Sequence, residues 1–370
     1  MKVVLCSDYF YPKLGGITTH VEYLAKSLEK RGHEVVVLTK KAEFDDRIHG
    51  LNVVRVGSLF NSSNPLDVPN TSEIEYFFSS FKPDVVHSHH AFSPLSLFAI
   101  SVAKKLGIAT VLTTHSIQFM YDFDLLWRPS SYVLYPIRQM INEADRIIAV
   151  SRAAKTFIRY FTRKDVTVIP NGVCVNEFAL SRKLYDGRSI LFVGRLVYRK
   201  GVHLLLDLMQ HVLHEVPEAN LTVAGAGYLA KPLRYLAKTR GLREKVTLVL
   251  KPERQELIEL YRRSNVFVMP SIYGESFGIV LLEAMASKTP IVAINQGGIG
   301  EVVKHGETGF LVNKGEVETM AHHVARLLRD RGLAKLIADK AYKEVRRYDW
   351  SVIVRRIEKV YEDVLGERKL

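Results

Sequence analysis

Gly274-Glu275-Ser276-Phe277-Gly278-Ile279-Val280-Leu281-Leu282-Glu283 follows the short apolar run Val266–Met269, and together the two stretches decide the fold. The apolar run reads as a buried strand, and Gly278 opens a helix that continues through Ala286. Strand, loop and helix in that order form one crossover of a parallel sheet. Glu275 falls in the loop, and Glu283 about a turn and a half into the helix. A helix start presents unpaired backbone N–H groups to an anion. Two carboxylates so placed could hold the hydroxyls of a ligand whose phosphates rest on that helix end. Taken alone, they could equally be one solvated glutamate and one on a helix surface.

The same unit recurs on both sides. Upstream, Val3–Ser7, Glu34–Thr39, Val53–Val56, Val85–Ser88, Thr110–Thr114, Arg146–Val150 and Val166–Ile169 read as strands. The helical patterns His20–Lys30 and Ser93–Leu106 fall between them. The segment between Val56 and Val85, with Pro65 and Pro69, reads as an irregular loop. Pro170-Asn171-Gly172 is turn chemistry. The chain restarts with the strand Ser189–Val193, and a second strand–helix series runs to Ile291–Ala293. The reading is therefore an α/β protein of two Rossmann-like halves: residues 1–172 joined by a final amphipathic helix in 351–370, and residues 186–350.

Composition sets the bounds. The chain has 370 residues, 47% apolar and 25% charged, as in ordinary globular proteins of about two domains. Two cysteines, Cys6 and Cys174, form no disulfide framework, which points to a reducing compartment. The start MKVVLCSDYF lacks the features of a signal peptide, and no apolar run approaches a membrane span. A cytoplasmic location is expected. The net charge of +13 and pI near 9.5 favour anionic partners. No zinc-finger, RNP or helix-turn-helix pattern is present, which argues against nucleic acid.

Several loops at strand ends carry chemistry. Gly15-Gly16 lies between the first strand and first helix, where glycines allow close backbone approach to a ligand, or simply make a tight turn. Arg195 and Lys200 follow Ser189–Val193 and could clasp a diphosphate from two sides; Arg199, between them, is expected to face away. His115 ends Thr110–Thr114, placed as a hydrogen-bond donor or general acid/base. His87, His89 and His90 end another strand. They lack any metal-binding spacing, so one is expected to line a cleft while the others pack or face solvent. Gly297-Gly298-Ile299-Gly300-Glu301 makes a second glycine-rich loop. Arg152, Lys155, Arg159 and Arg163 recur at helical spacing among aromatics, which suits an anionic membrane surface or a solvated helix face. The aromatic segment Phe119, Tyr121, Phe123, Trp127, Tyr132 and Tyr135 could line an acceptor site or dip into a membrane.

In order along nearly the whole chain, these motifs resemble the retaining GT-B glycosyltransferases of glycosyltransferase family 4. The carriers are Gly15-Gly16 in F-Y-P-x-x-G-G, His115 in T-x-H, Ile169-Pro170-Asn171-Gly172-Val173, and Arg195 with Lys200 in G-R-L-x-x-x-K-G. The E-x7-E element Glu275…Glu283 and the Gly297-Gly298-x-x-Glu301 loop complete the series. Within the family, Ser7–Pro12, Val86–His89 and Arg195–Gly201 look most like the catalytic chain of phosphatidylinositol N-acetylglucosaminyltransferase, and phosphatidylinositol mannosyltransferases are also similar. Cys174 departs from the family's N-G-V-D continuation.

The resemblance implies two Rossmann-like domains facing a central cleft, with the C-terminal helix crossing back to the N-terminal domain. It implies transfer of a hexose from an NDP-sugar, expected to be UDP-linked, to a lipid-linked hydroxyl, with retention, on the cytoplasmic face of a membrane. No cofactor and no divalent metal are implied. Arg195 and Lys200 would bind the diphosphate, Glu275 the sugar and Glu283 the ribose. Phe277, Gly278 and Leu282 would complete the donor site, and Lys251 would lie near the base. Gly15 and Gly16 would approach the phosphate, and His115 the transferred sugar. A soluble-acceptor transferase or an NDP-sugar epimerase of the same fold is the alternative, and a non-catalytic sugar-binding module is a third class.

Overall fold

The computed structural model describes residues 1–13, 15–42, 47–58, 67–117, 135–179, 183 and 186–368. The aromatic run Phe119, Tyr121, Phe123, Trp127 and Tyr132 lies outside them. Two compact units result, Met1–Gly172 with Trp350–Leu370, and Val173–Asp349.

The first unit is built on β1 (Lys2–Ser7), β2 (Glu34–Lys40), β3 (Arg47–Ile48), β4 (Leu51–Val56), β5 (Val85–His89), β6 (Ala109–Thr114), β7 (Arg146–Ala149) and β8 (Val166–Val168). Their order is β3-β4-β2-β1-β5-β6-β7-β8, parallel throughout except for the β3–β4 pair. Helices cover both faces of such a sheet, so its strands are near-continuous apolar runs. Val3, Val4, Leu5 and Cys6 in β1 are all buried.

The second unit holds β9 (Ser189–Val193), β10 (Asn220–Ala224), β11 (Val246–Val249), β12 (Val266–Met269), β13 (Ile291–Ile294) and β14 (Phe310–Val312). The order is β11-β10-β9-β12-β13-β14, all parallel. This is the doubly wound arrangement, in which crossovers leave β9 and β12 toward opposite sides. The loops after those two strands are neighbours, and open α/β sheets bind ligands at that point. In the first unit, β1 and β5 stand in the same relation.

One sequence reading is corrected. The segment between β4 and β5 contains the helix Thr71–Phe81, where an irregular loop was expected. The prolines end before it begins. Asn70 caps it by accepting hydrogen bonds from Ser72 N and Glu73 N at 3.1 and 3.4 Å, and Ile74 and Phe78 are buried beneath it. An Asn with Glu three residues on is a capping signal, which the expectation built on Pro65 and Pro69 did not take into account.

The C-terminal helix Trp350–Glu367 packs on the first unit. Glu358 accepts from Arg31 Nε at 2.6 Å and lies 2.7 Å from His33 Nε2. Deeper in, the Tyr361 hydroxyl meets Nδ1 of His87 on β5 at 2.7 Å, with both residues fully buried. Tyr361→Phe keeps the ring and strands that nitrogen without a partner. Denaturant unfolding should show a loss of about 1–3 kcal/mol, the cost of a buried unpaired polar group. An unchanged midpoint would contradict this docking.

Candidate active site

The loop after β9 contains Arg195 and ends in the single turn Tyr198–Lys200 before Gly201. The loop after β12 runs from Pro270 to Gly278. They are tied at several places. Ile272 N donates to Arg199 O at 2.9 Å, and the buried Arg199 donates through Nη1 to Gly274 O at 3.1 Å. Gly201 has φ +70, and a Cβ there would sit 1.8 Å from Pro270 O, so this approach of the two loops needs glycine. Arg199 therefore clamps the loops together and is buried in doing so.

Between the two loops, the Lys200 ammonium pairs with Glu275, and both side chains are largely buried. Burial pulls the Lys200 pKa down, with Arg199 and Arg195 adding to it and Glu275 opposing. Arg195 is exposed on the same loop.

The helix Ile279–Ala286 starts at Gly278, whose φ of +84 makes the left-handed entry, and no side chain caps its first turn. Its first N–H groups are thus available to an anion. Gly298 N donates to Glu275 O at 2.9 Å, which sets the Gly297-Gly298 loop beside Glu275. Glu301 lies on the short helix Ile299–Val302 that follows.

Other expected donor residues fare differently. Leu282 is 0% exposed in the core, so its side chain offers a ligand no surface, contrary to the sequence reading. Phe277 is buried edge-on to Tyr348, which leaves only its backbone to serve a ligand. Glu283 is buried, with Arg254 Nη1 donating at 2.8 Å and the Tyr261 hydroxyl at 3.0 Å. Arg254 also reaches Glu177 at 3.0 Å and lies over the Phe178 ring. Arg254 and Tyr261 stand 29 and 22 residues from Glu283 and carry no motif, so sequence reasoning missed them. Lys251 is exposed after β11, an edge strand separated from β9 by β10.

In the first unit, Gly15 and Gly16 are exposed at the start of the helix Gly16–Glu29, after the β1 loop. Asp8 in that loop accepts from Ser96 N at 3.2 Å and pairs with Lys40 at 2.9 Å, which fixes the loop to the helix Pro94–Lys105. His87, His89 and His90 are all buried, so of the two expected fates, packing or facing solvent, it is packing that the structure shows. His87 also meets Thr113 Oγ1 at 2.6 Å, and His90 Nε2 meets the Ser116 hydroxyl at 2.9 Å. His115 Nε2 lies 3.4 Å from His89 Nδ1, and His20 packs against both rings. His20 was not singled out from sequence, because an isolated histidine inside a helical pattern carries no signal.

The basic stripe is shorter than its spacing suggested. The helix Arg152–Ile158 ends before Arg163, and Phe157 and Phe161 pack against Phe92. Arg152, Arg159 and Tyr160 remain exposed.

The model of "Glycosyltransferase Family 4" matches residues 14–177, and that of "Glycosyl transferases group 1" matches residues 177–344. The uncharacterized glycosyltransferase MJ1607 of Methanocaldococcus jannaschii is 30% identical over 98% of both chains. The phosphatidyl-myo-inositol mannosyltransferase of Mycobacterium leprae is 29% identical over 98% of this chain and 97% of its own. A human phosphatidylinositol N-acetylglucosaminyltransferase chain is 26% identical over 100% of this chain and 77% of its own. Among solved structures, sucrose-phosphate synthase from Thermosynechococcus elongatus superposes with a TM-score of 0.81 at 21% identity, covering 99% of each chain. Anabaena HepE in complex with UDP-glucose gives 0.77 at 21% identity, covering 98% of this chain and 100% of that one. The chain belongs to the family 4 glycosyltransferases and has the GT-B fold.

The buried histidines make stability depend on pH. Burial lowers His20 to about 4, His87 to about 3 and His90 to about 4. Unfolded histidine titrates near ~6.5, so below that pH the unfolded chain binds more protons than the folded one. Stability is then complete above ~6.5 and is lost as pH falls toward the folded values, by about 1.4 kcal/mol per pH unit per histidine. Urea titrations at pH 7 and pH 5 should show the first unit markedly weakened at the lower pH. Equal midpoints would contradict it.

Proposed function

We propose that this glycosyltransferase moves a hexose (GlcNAc, glucose or mannose) from an NDP-sugar, UDP-linked, to a hydroxyl of a lipid-linked acceptor such as a phosphoinositol lipid. Transfer proceeds with retention at the anomeric carbon and without a divalent cation. The observation that carries this reading is the convergence, at the β9–β12 switch point, of Arg195, the Lys200–Glu275 pair and an uncapped helix start. Together they offer positive charge for a leaving diphosphate beside carboxylates for hydroxyls.

In this reading Arg195 and Lys200 hold the diphosphate with the N–H groups after Gly278. Glu275 takes the sugar hydroxyls opposite the reacting carbon. Glu283 takes the ribose, held in place by Arg254 and Tyr261. From the first unit, His115 contacts the transferred sugar, and the backbone at Gly15 and Gly16 serves the phosphate. The departing diphosphate accepts the proton of the attacking hydroxyl on the same face of the sugar.

The lipid acceptor is supported by the mycobacterial and human relatives, which are named for phosphatidylinositol. The charge of +13 and the exposed Arg152, Arg159 and Tyr160 fit peripheral contact with an anionic bilayer on the cytoplasmic face. Among the described residues, no helix is long and apolar enough to cross a membrane.

Incubation with radiolabelled UDP- and GDP-sugars and extracted lipid tests the reading. Label should enter the organic phase, and label confined to water-soluble product would favour the soluble acceptor. Arg195→Ala, at an exposed position, should lower turnover on the order of 10²–10³-fold with unfolding unchanged. Wild-type turnover in that variant would overturn the phosphate assignment.

A further inference from the structure

We propose that His20, His89 and His115 form a binding site for one divalent transition-metal ion of the zinc class. One ring nitrogen from each lies within 4.8 Å of the others, and all three residues are buried, at 2%, 0% and 6% exposure. His89 comes from the end of β5, His115 follows the end of β6, and His20 belongs to the helix after the β1 loop. Three elements of the first unit thus converge on one point.

The spacing of His89 and His115 suits a shared metal as well as a long hydrogen bond. His89 Nδ1 and His115 Nε2 are 3.4 Å apart, beyond the usual 2.7–3.2 Å of a nitrogen donor and its acceptor. Two imidazoles on a tetrahedral zinc, with bonds of about 2.0–2.1 Å, place their nitrogens about 3.3 Å apart. His89 Nε2 is buried without a hydrogen-bond partner. His20 interacts with the Asn171 side chain, but the geometry is too poor to satisfy either its buried ring nitrogens or the Asn171 amide oxygen. Buried polar groups are normally satisfied, so the deficit marks this cluster out.

The chemistry of the donors agrees. A metal needs neutral imidazole, and all three rings lie buried in a cluster that holds no acidic side chain of its own. An all-imidazole set selects zinc, copper, nickel or iron over magnesium or calcium, which prefer oxygen. Three protein ligands leave a fourth position to water or a ligand oxygen. His87, fixed by Tyr361 and Thr113, lies against His89 with ring centroids 4.2 Å apart and planes tilted by 35°, and steadies it.

The ion is distinct from a cation bridging donor phosphates and takes no part in the proposed transfer; with Nε2 of His115 toward the metal, its other ring nitrogen is left for the transferred sugar. Metal binding is read without turnover, so its failure leaves the glycosyl-transfer reading standing, and the reverse also holds.

The full chain, stripped with chelator, would be titrated with Co2+ and followed by visible d–d absorption. The expected result is one Co2+ per chain, displaced by Zn2+ and lost in His20→Ala. An exposed patch of His211, His214 and His322 beside Glu215 could also take up metal, so His322→Ala is the control and should keep the signal. X-ray absorption of the zinc-loaded wild type should give three imidazoles at about 2.0–2.1 Å; this measurement stands even where a variant fails to fold. Absence of Co2+ absorption, its survival in His20→Ala, its loss in His322→Ala, or fewer than three imidazoles would overturn the proposal.

Discussion

The second unit depends on one juxtaposition, the Lys200 ammonium set against the Glu275 carboxylate between the loops of adjacent strands. A buried cation without a partner is strongly unfavourable, so the Glu275 carboxylate offsets the burial of Lys200. In the proposed reaction an arriving diphosphate would bring its own negative charge to the same ammonium, and the carboxylate would turn toward the sugar's hydroxyls. With or without a ligand, the pair is a strut between loops. Arg199 and Gly201 keep the loops close enough for it to form.

How much of this could be read in the residues varies with range. Local signals carried far. The apolar runs of β1, β9 and β12 announce strands buried on both faces, and Gly278 announces the turn into a helix. Two such series of strands and helices imply a doubly wound sheet in each half, so the fold class was legible. Strand order also explains why Arg195, Lys200 and Glu275 meet, since they follow strands that crossovers make neighbours.

What failed to show was long-range partnership between residues with no motif. Arg254 and Tyr261 hold Glu283 from another helix, and nothing in their own neighbourhood foretells it. Leu282 was placed in the donor site by the family resemblance, but successive helix positions point about 100° apart, and its side chain is turned into the core. Helical spacing from Arg152 to Arg163 misled for a simpler reason. The helix stops at Ile158, and Phe157 and Phe161 are spent on packing with Phe92. Histidines at the end of β5 gave no clue to burial, because the Tyr361 that satisfies one of them lies 274 residues away.

The central claim is that fixed protein charge, at Arg195, Lys200 and the helix start after Gly278, neutralises the donor diphosphate. Calorimetric titration of UDP-glucose, UDP-GlcNAc and GDP-mannose, with and without Mg2+, tests it most directly. The account predicts that at least one binds with the same affinity in both conditions. Binding that appears only when Mg2+ is added would contradict it.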